Sequence, residues 1–216
     1  MGNIVFLSVR RFRPQLKRSK PYHVVMVGLD KSGKTSILYR SKLREHINCV
    51  PTTAFNVETV RPSKGLKFKI WDVGGRDQNR PLWKAYVRQT DAIIFVVDCA
   101  NETRIEEARE ELFNLVNSAQ INGAPILVFA NKQDKPNAVG PVEMINKLSL
   151  HNLNTKHLWF VQPTSAKIGE GICEGLRTLG EMIDQWRQDM KLQKTKSRKH
   201  RHSLGTSRTN SANNIL

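Results

Sequence analysis

The chain has 216 residues, of which 39% are hydrophobic and 25% are charged, and it carries a formal net charge of +16. This length predicts one domain of ordinary size with flexible ends. No apolar run approaches the roughly 18 residues of a membrane-spanning helix, and the first residues lack a signal-peptide pattern, so integral membrane and secreted proteins are disfavoured. The three cysteines have no metal-type spacing, which gives no support to a zinc site or a disulfide framework.

The positive charge is concentrated at the two ends of the chain. Residues 1–20 and 191–216 contain no acidic residue and hold 13 of the 16 excess positive charges. Residues 21–190 are nearly balanced, with a net charge of +3, which disfavours a nucleic-acid-binding protein. Residues 191–216 are poor in large apolar residues and cannot offset their chain entropy by burial, so they are predicted to be a disordered basic tail.

Short β-rich runs alternate with amphipathic segments between these ends. In chain order, the predicted elements are strand Tyr22–Val27, helix Lys34–Arg44, strand Phe55–Val60, strand Phe68–Val73, helix Leu82–Arg88, strand Ala92–Asp98, helix Arg104–Ala119, strand Ile126–Asn131, helix Pro141–Leu148, strand Leu158–Pro163 and helix Gly171–Gln188. This alternation predicts an α/β fold with a mostly parallel six-stranded sheet covered by helices on both faces. Ligands of such folds bind at the carboxyl ends of the strands.

The segment after the first predicted strand matches the phosphate-loop pattern G-x-x-x-x-G-K-[ST]. It comprises Gly28, Leu29, Asp30, Lys31, Ser32, Gly33, Lys34 and Thr35. Glycines in such a loop let successive N–H groups point at an anion, and the following helix adds the positive end of its dipole. Lys34 is predicted to reach the outer phosphates, and Thr35 to give a hydroxyl to Mg²⁺. The alternative interpretation is a chance glycine-rich turn.

The third predicted strand ends in the segment Asp72-Val73-Gly74-Gly75. Asp72 is predicted to hold Mg²⁺ through water, and the Gly75 amide to approach a terminal phosphate. The motif is weak by itself. The prediction of a phosphate and Mg²⁺ site is stronger because this segment lies at the same edge of the predicted sheet as the phosphate loop.

The fifth and sixth predicted strands end in two further polar segments. The base-binding residues predicted from them are Asn131, Lys132, Asp134, Ser165, Ala166 and Lys167. A carboxylate at Asp134 accepts hydrogen bonds from the ring N–H and the exocyclic amine of guanine, and adenine offers neither donor there. The stem of Lys132 is predicted to lie along the base, and the Ala166 amide to donate to the guanine carbonyl. A polar loop explains either segment alone, but the ordered series predicts guanine binding.

Several stretches of the sequence are typical of one family of small GTPases. They are Gly28-Leu29-Asp30, Pro51-Thr52, Phe55-Asn56-Val57-Glu58-Thr59-Val60, Trp71-Asp72-Val73-Gly74-Gly75, Arg80-Pro81-Leu82-Trp83 and Asn131-Lys132-Gln133-Asp134. Over about residues 21–190 the chain resembles the ADP-ribosylation factor (Arf) and Arf-like family. The basic tail, with Val50-Pro51-Thr52 and Gln162-Pro163-Thr164, most resembles the type-four Arf-like branch.

The resemblance implies a P-loop NTPase small G domain that binds GTP or GDP with Mg²⁺. It implies a monomeric switch that recruits effector proteins at a membrane, with an exchange factor and an activating protein as regulators. It also implies that the Thr52 hydroxyl joins Mg²⁺ only when the γ-phosphate is present. Phe55, Trp71 and Tyr86 would form the aromatic cluster that effectors recognise, and ordinary core packing is the alternative for each of them.

The sequence departs from the family at Arg76, which stands where Arf-type GTPases carry glutamine after the double glycine. That glutamine orients the attacking water, whereas a guanidinium has donors and no acceptor. With Arg76 and Gly75 as its predicted catalytic residues, the protein is expected to hydrolyse GTP slowly or not at all. The alternatives are a bystander arginine or an arginine finger in cis, and the rival functions are a GTPase with normal turnover and a GTP-bound scaffold.

Residues 1–20 form a candidate membrane-surface segment. Gly2 is a candidate for N-myristoylation, although Phe6 departs from the usual pattern and the family resemblance carries the prediction. Apolar residues recur at helical spacing beside the basic residues, and Pro14 is expected to kink or end that helix. One acyl chain binds a bilayer only marginally, so the polybasic ends would supply the second signal. An unstructured basic leader is the alternative.

The C-terminal basic run from Lys194 to His202 has three interpretations: anionic lipid binding, nuclear import and nucleic-acid contact. No aromatic residue is interleaved with these charges, so base stacking is not indicated and nucleic acid ranks last. The predicted location is therefore the cytoplasmic face of the plasma membrane or an endomembrane, with the nucleus as the second choice.

Overall fold

The computed structural model describes residues 20–118, 121, 123–153 and 157–209, and over 196–209 it describes the backbone alone. The strands are β1 (Tyr22–Val27), β2 (Phe55–Ser63), β3 (Leu66–Val73), β4 (Ala92–Asp98), β5 (Ile126–Asn131) and β6 (Trp159–Pro163). The α-helices are α1 (Lys34–Leu43), α2 (Trp83–Tyr86), α3 (Ile105–Val116), α4 (Pro141–Lys147) and α5 (Ile172–Thr209). Short 3-10 turns cover Asp77–Leu82, Glu102–Arg104 and Leu150–Asn152.

The strands form one six-stranded sheet in the order β2-β3-β1-β4-β5-β6. All neighbouring pairs are parallel except the β2–β3 hairpin, which is antiparallel. The parallel strands are connected by helical crossovers, so their carboxyl ends meet at one edge of the sheet. The predicted α/β fold is confirmed.

Each face of the sheet is covered by helices and has its own apolar cluster. On one face, buried residues of α2, α3 and α4 pack against alternate residues of the central strands, with Trp83 and Leu112 as large members. On the other face, α1 and the first turns of α5 pack through Ile37, Leu176 and Leu179. Strands β4 and β5 are apolar on both faces because both faces are covered, which explains their continuous hydrophobic runs.

The β2–β3 hairpin is longer than the sequence predicts. The structure extends β2 from the predicted end at Val60 to Ser63 and starts β3 at Leu66 rather than Phe68. The strand continues through Pro62 because β2 is at the edge of the sheet, where a missing N–H is tolerated. Helix α2 is shorter than the predicted Leu82–Arg88: it covers Trp83–Tyr86, and the preceding 3-10 turn includes Pro81 and Leu82.

Helix α5 extends far beyond its predicted end at Gln188 and runs to Thr209. The structure therefore differs from the prediction of a disordered tail that begins at residue 191. Lysine, arginine, leucine and glutamine are good helix formers, and residues 189–204 contain no proline or glycine to end the helix.

The chain divides into two compact units, Met1–Ile183 and Asp184–Leu216. The first unit holds the sheet, and the described part of the second is helical. In the residues that the structure describes, no helix is long and apolar enough to cross a bilayer. The predicted membrane segment is residues 1–20, and all of it except residue 20, Gly2 included, lies outside the described residues.

Candidate functional site

The loops that the sequence predicts as functional lie together at the carboxyl edge of the sheet, and Asn131 connects three of them. Its side-chain nitrogen donates to the Ser32 carbonyl at 2.8 Å, and its Oδ1 accepts from the Ala166 amide at 3.0 Å. Asn131 is 1% exposed, so both bonds are shielded from water. This residue fixes the phosphate loop against the two loops that follow β5 and β6.

The phosphate loop curls around the side chain of Lys34. Its ammonium donates to the carbonyls of Gly28 at 2.8 Å and Leu29 at 2.9 Å, and the residue is 5% exposed. Burial lowers the pKa of Lys34 to about 8, while the nearby Asp72 carboxylate opposes the shift. A phosphate in the loop would supply a further opposing negative charge, so this cation is suited to an anionic ligand.

A cluster of oxygen atoms forms where α1 begins. The Thr35 hydroxyl donates to Asp72 Oδ2 at 2.6 Å, and the Thr52 hydroxyl lies 2.8 Å from that of Thr35. Burial raises the pKa of Asp72, and hydrogen bonds from the neighbouring side chains act against that shift. Asp72 Oδ1 is buried with no hydrogen-bond partner. An unpartnered carboxylate oxygen beside two hydroxyls is the kind of ligand set that Mg²⁺ prefers.

Asn56 completes this cluster, and the sequence analysis did not assign it a role. Its side-chain amide donates to Thr52 Oγ1 at 3.1 Å and to Asp72 Oδ2 at 3.3 Å. Asn56 pairs with Asp72 across the β2–β3 ladder, which places both side chains on the same face. An asparagine between two apolar residues of a strand was the available signal.

The residues that the sequence predicts for base recognition are near one another. Asp134 Oδ1 accepts a hydrogen bond from the Ser165 hydroxyl at 2.6 Å, and Asp134 itself is exposed. The Ala166 amide donates to Asn131 Oδ1 at 3.0 Å, and its hydrogen bond to guanine stays a prediction. Lys132 has a left-handed backbone, with φ of 69°, and pairs with Asp98, a residue that the sequence analysis did not single out. Lys167 is exposed beside this group.

Comparison with known proteins identifies the family to which this arrangement belongs. The model of the ADP-ribosylation factor family matches residues 9–183, which include every loop described above. The protein is a member of the ADP-ribosylation factor family. It is therefore a guanine-nucleotide-binding switch protein, and proteins of this family work with effectors and regulators.

A solved structure with the same fold is the Arl6 BBS3 small GTPase from Trypanosoma brucei, determined with the bound nucleotide analogue GppNp. The two chains are 32% identical and superpose with a TM-score of 0.70. The match covers 77% of this chain and 99% of the trypanosome chain. The similarity therefore extends over nearly the whole trypanosome chain and leaves part of the present Arf-family chain outside it.

The aromatic cluster predicted for effectors is assembled in this Arf-family chain. The ring centroids of Phe55 and Trp71 are 5.2 Å apart, those of Phe55 and Tyr86 5.7 Å, and those of Trp71 and Tyr86 6.1 Å. Trp71 and Tyr86 pack against one core cluster and are only partly buried, while Phe55 is 44% exposed. The cluster thus contacts the core on one side and presents aromatic surface to solvent on the other.

Gly75 packs directly on the phosphate loop, and Arg76 follows it into solvent. A Cβ atom at Gly75 would lie 2.3 Å from the Gly28 carbonyl oxygen, so no larger residue fits without displacing the loop. The Gly75 carbonyl accepts from the Asp30 amide at 3.1 Å. Arg76 is exposed, and within residues 20–195 no hydrogen bond or ion pair holds its side chain. Its guanidinium is therefore not committed to a structural contact.

Proposed function

We propose that the protein is a Mg²⁺-dependent GTP switch that hydrolyses GTP slowly and acts on effectors at a membrane surface. The observation that carries the proposal is the approach of Thr52 to Thr35 and Asp72, which are 2.8 Å and 3.4 Å from its hydroxyl. We define the first switch segment as residues 44–54, between α1 and β2, and the second as residues 74–82. Closure of such segments around a γ-phosphate and its metal ion is how GTPases create an effector surface.

The residues of the oxygen cluster fit a magnesium ion. Thr35, Thr52 and Asp72 would hold it, and the unpartnered Asp72 Oδ1 supports this assignment. When bound, the ion would neutralise charge on the β- and γ-phosphates. Asn56 fixes the Asp72 carboxylate and the Thr52 hydroxyl toward each other, so the first switch segment is oriented by β2.

The remaining residues bind phosphate but do not orient a water molecule. Lys34 and the backbone N–H groups of the phosphate loop supply positive charge, and the close packing of Gly75 keeps the second switch segment near the loop. Arg76 is in the position of the water-orienting residue, and its side chain has no acceptor. Binding of GTP without rapid turnover is the result that this combination supports.

The nucleotide retained after gentle purification tests this proposal. A slow GTPase with an intact site is expected to retain GTP in a substantial fraction of molecules, since neither hydrolysis nor release of the bound nucleotide would be complete during the purification. Chromatography of the heat-released nucleotide measures the ratio of GTP to GDP. Complete conversion to GDP would instead support the rival function, a GTPase with normal turnover. The absence of any guanine nucleotide would contradict the proposed site.

Phe55, Trp71 and Tyr86 are proposed as the effector surface. All three are close in sequence to the switch segments, because Phe55 directly follows the first segment, Trp71 precedes the second and Tyr86 ends α2 just after it. Rearrangement of either segment would change the contacts of at least one ring. Effector proteins, an exchange factor and an activating protein are the partners that this surface and its family imply, and the protein itself is proposed to be monomeric.

Membrane attachment is proposed through the two basic ends, with acylation at Gly2 as one signal and electrostatic attraction as the other. The described part of the C-terminal end is helical to Thr209 and carries no acidic residue after Asp189. The type-four Arf-like branch is the proposed place of the chain within its family, on the basis of this basic extension.

Deletion of residues 191–216 is expected to reduce binding to vesicles of phosphatidylserine and phosphatidylcholine by more than about 10-fold. The deletion removes seven basic residues, and each basic residue near an anionic surface contributes about 1 kcal/mol before screening. Salt at about 0.5 M should weaken the binding that remains. Co-sedimentation at two salt concentrations measures both effects.

A full-length variant with these seven lysines and arginines replaced by glutamine is the matched control, since it keeps the length of the chain. It should bind as weakly as the deletion variant. Binding that responds neither to salt nor to the loss of charge would contradict electrostatic attachment. Loss of a nuclear signal in cells on the same deletion, with membrane binding intact, would favour nuclear import.

A further inference from the structure

Arg104 connects the phosphate loop to α3. Its Nη2 donates to Asp30 Oδ1 at 2.9 Å, and its Nη1 donates to the Asp30 carbonyl at 3.3 Å. Its Nε donates to Glu107 Oε2 at 2.7 Å, and Nη2 also donates to Glu107 Oε1 at 3.1 Å. One guanidinium therefore holds both the side chain and the backbone of a phosphate-loop residue against the first turn of α3.

Arg80 makes the corresponding connection from the second switch segment. Its Nη2 lies 2.7 Å from Glu107 Oε1, and its Nε donates to the Gly75 carbonyl at 3.1 Å. The Arg80 side chain is only 9% exposed, and Asp77 and Glu111 contribute further ion pairs. Arg80 is thus well buried and bound to the backbone immediately before Arg76.

Both arginines share the Glu107 carboxylate, which is the central contact of this network. Hydrogen bonds from Arg104, and then from Arg80, lower the pKa of Glu107 to about 2, so the carboxylate stays charged at neutral pH. Glu111 reaches Arg80 at 3.4 Å, and no contact joins it to Arg104. Among the carboxylates that the structure describes in α3, Glu107 alone contacts both arginines.

We propose that Glu107 is a positioning residue that couples the phosphate loop to the second switch segment, through Arg104 on one side and Arg80 on the other. The network ends on Asp30 and on Gly75, and these two residues are joined directly by the hydrogen bond from the Asp30 amide to the Gly75 carbonyl. The ring of contacts fixes the backbone of the second switch segment on the phosphate loop. This inference rests on the proposed function, because it concerns the closed arrangement of the switch.

The network should affect the affinity for a GTP analogue more than the affinity for GDP, because of the switch arrangement in which it is present. The network is present together with the approach of Thr52 to Asp72, so it belongs to the arrangement with both switch segments closed. A γ-phosphate stabilises that arrangement, and GDP does not require it. If the network is broken when the switch opens, it favours the ligand that selects the closed arrangement, so its loss should weaken binding of the GTP analogue more than binding of GDP.

The test is Glu107→Gln in the full-length protein, with affinities measured for fluorescent GDP and for fluorescent GppNp. The substitution keeps the size of the side chain and removes its charge. The ratio of GppNp affinity to GDP affinity is expected to fall about 3- to 10-fold, a coupling of ordinary size for a switch. Arg104→Gln should lower the ratio similarly. In the double variant the loss of coupling free energy should be smaller than the sum of the losses in the two single variants, since both residues act through one network.

Glu110→Gln is the matched control, because Glu110 is an exposed carboxylate on the same helix and its substitution makes the same charge change. It should leave the ratio unchanged. Equal weakening of both nucleotides by Glu107→Gln, or additive effects in the double variant, would reduce Glu107 to a structural role and overturn the inference. An unchanged ratio in a variant that binds nucleotide would do the same while leaving the proposed function intact. Failure of the unsubstituted protein to bind either nucleotide would overturn both.

Discussion

Arg76→Gln is expected to raise the single-turnover rate of GTP hydrolysis about 10- to 100-fold, with little change in nucleotide affinity. Glutamine both donates and accepts, so it can fix a water molecule in line with the γ-phosphate, whereas the guanidinium only donates. Arg76 is exposed and has no structural contact among the described residues, so the substitution should not disturb Gly75 or the phosphate loop. Release of phosphate from preloaded protein measures the rate.

The gain should be larger when an activating protein of the family supplies its own arginine, since that arginine stabilises charge but needs an oriented water. Arg88→Gln is the control, because Arg88 is also exposed and its substitution removes the same charge. If the natural protein hydrolyses GTP as fast as the glutamine variant, with and without the activating protein, then Arg76 either acts as an arginine finger within the same chain or has no role in hydrolysis. The proposal of slow turnover would then be wrong.

Asp134→Asn is expected to weaken GDP and GTP binding by about 100-fold or more and to improve the relative binding of xanthine nucleotides. A site built to accept two hydrogen bonds from a base discriminates strongly, because loss of the match leaves polar groups unpaired. Asparagine retains an oxygen for the Ser165 hydroxyl, which donates to Asp134 at 2.6 Å, so the loop should keep its shape. Competition of GDP and xanthosine diphosphate against a fluorescent nucleotide measures the change.

Glu170→Gln serves as the control for this experiment. Glu170 is an exposed carboxylate near the same loop, and only its carbonyl oxygen, which accepts from the Ser165 amide, is involved there. Its substitution removes one negative charge and should leave guanine affinity unchanged. Guanine affinity that is also unchanged in Asp134→Asn would remove Asp134 from the base site.

The order of the strands along the chain and the positions of the nucleotide-binding motifs were predictable because they depend on local sequence. Apolar runs such as Ala92–Asp98 identify strands by length, and the phosphate-loop pattern occurs immediately after one of them. The ends of strands and helices were less predictable where the tertiary structure allows a residue that local sequence rules would exclude. Pro62 is accepted in β2 because that strand is at the edge of the sheet, which the sequence does not reveal.

The partners of the site residues were decided by tertiary structure. Asn56 and Asp72 are 16 positions apart in the chain and meet because the β2–β3 register pairs them. Asn131 and Ser32 are 99 positions apart in the chain, yet the Asn131 side chain donates to the Ser32 carbonyl. The same side chain accepts a hydrogen bond from the Ala166 amide. A motif identifies which residues act, but it does not say which hydrogen bonds they make with each other.

The sequence by itself determined the fold class, the guanine-nucleotide chemistry and the unusual Arg76, because periodicity, motif spacing and residue chemistry are properties of neighbouring positions. Only the tertiary structure decided that Glu107 is shared by Arg104 and Arg80. An ion pair depends on distance in space, and Arg80 and Glu107 come within 2.7 Å only when the second switch segment packs on α3. That packing is fixed by burial of residues from several elements at once, and no local pattern in the sequence encodes it.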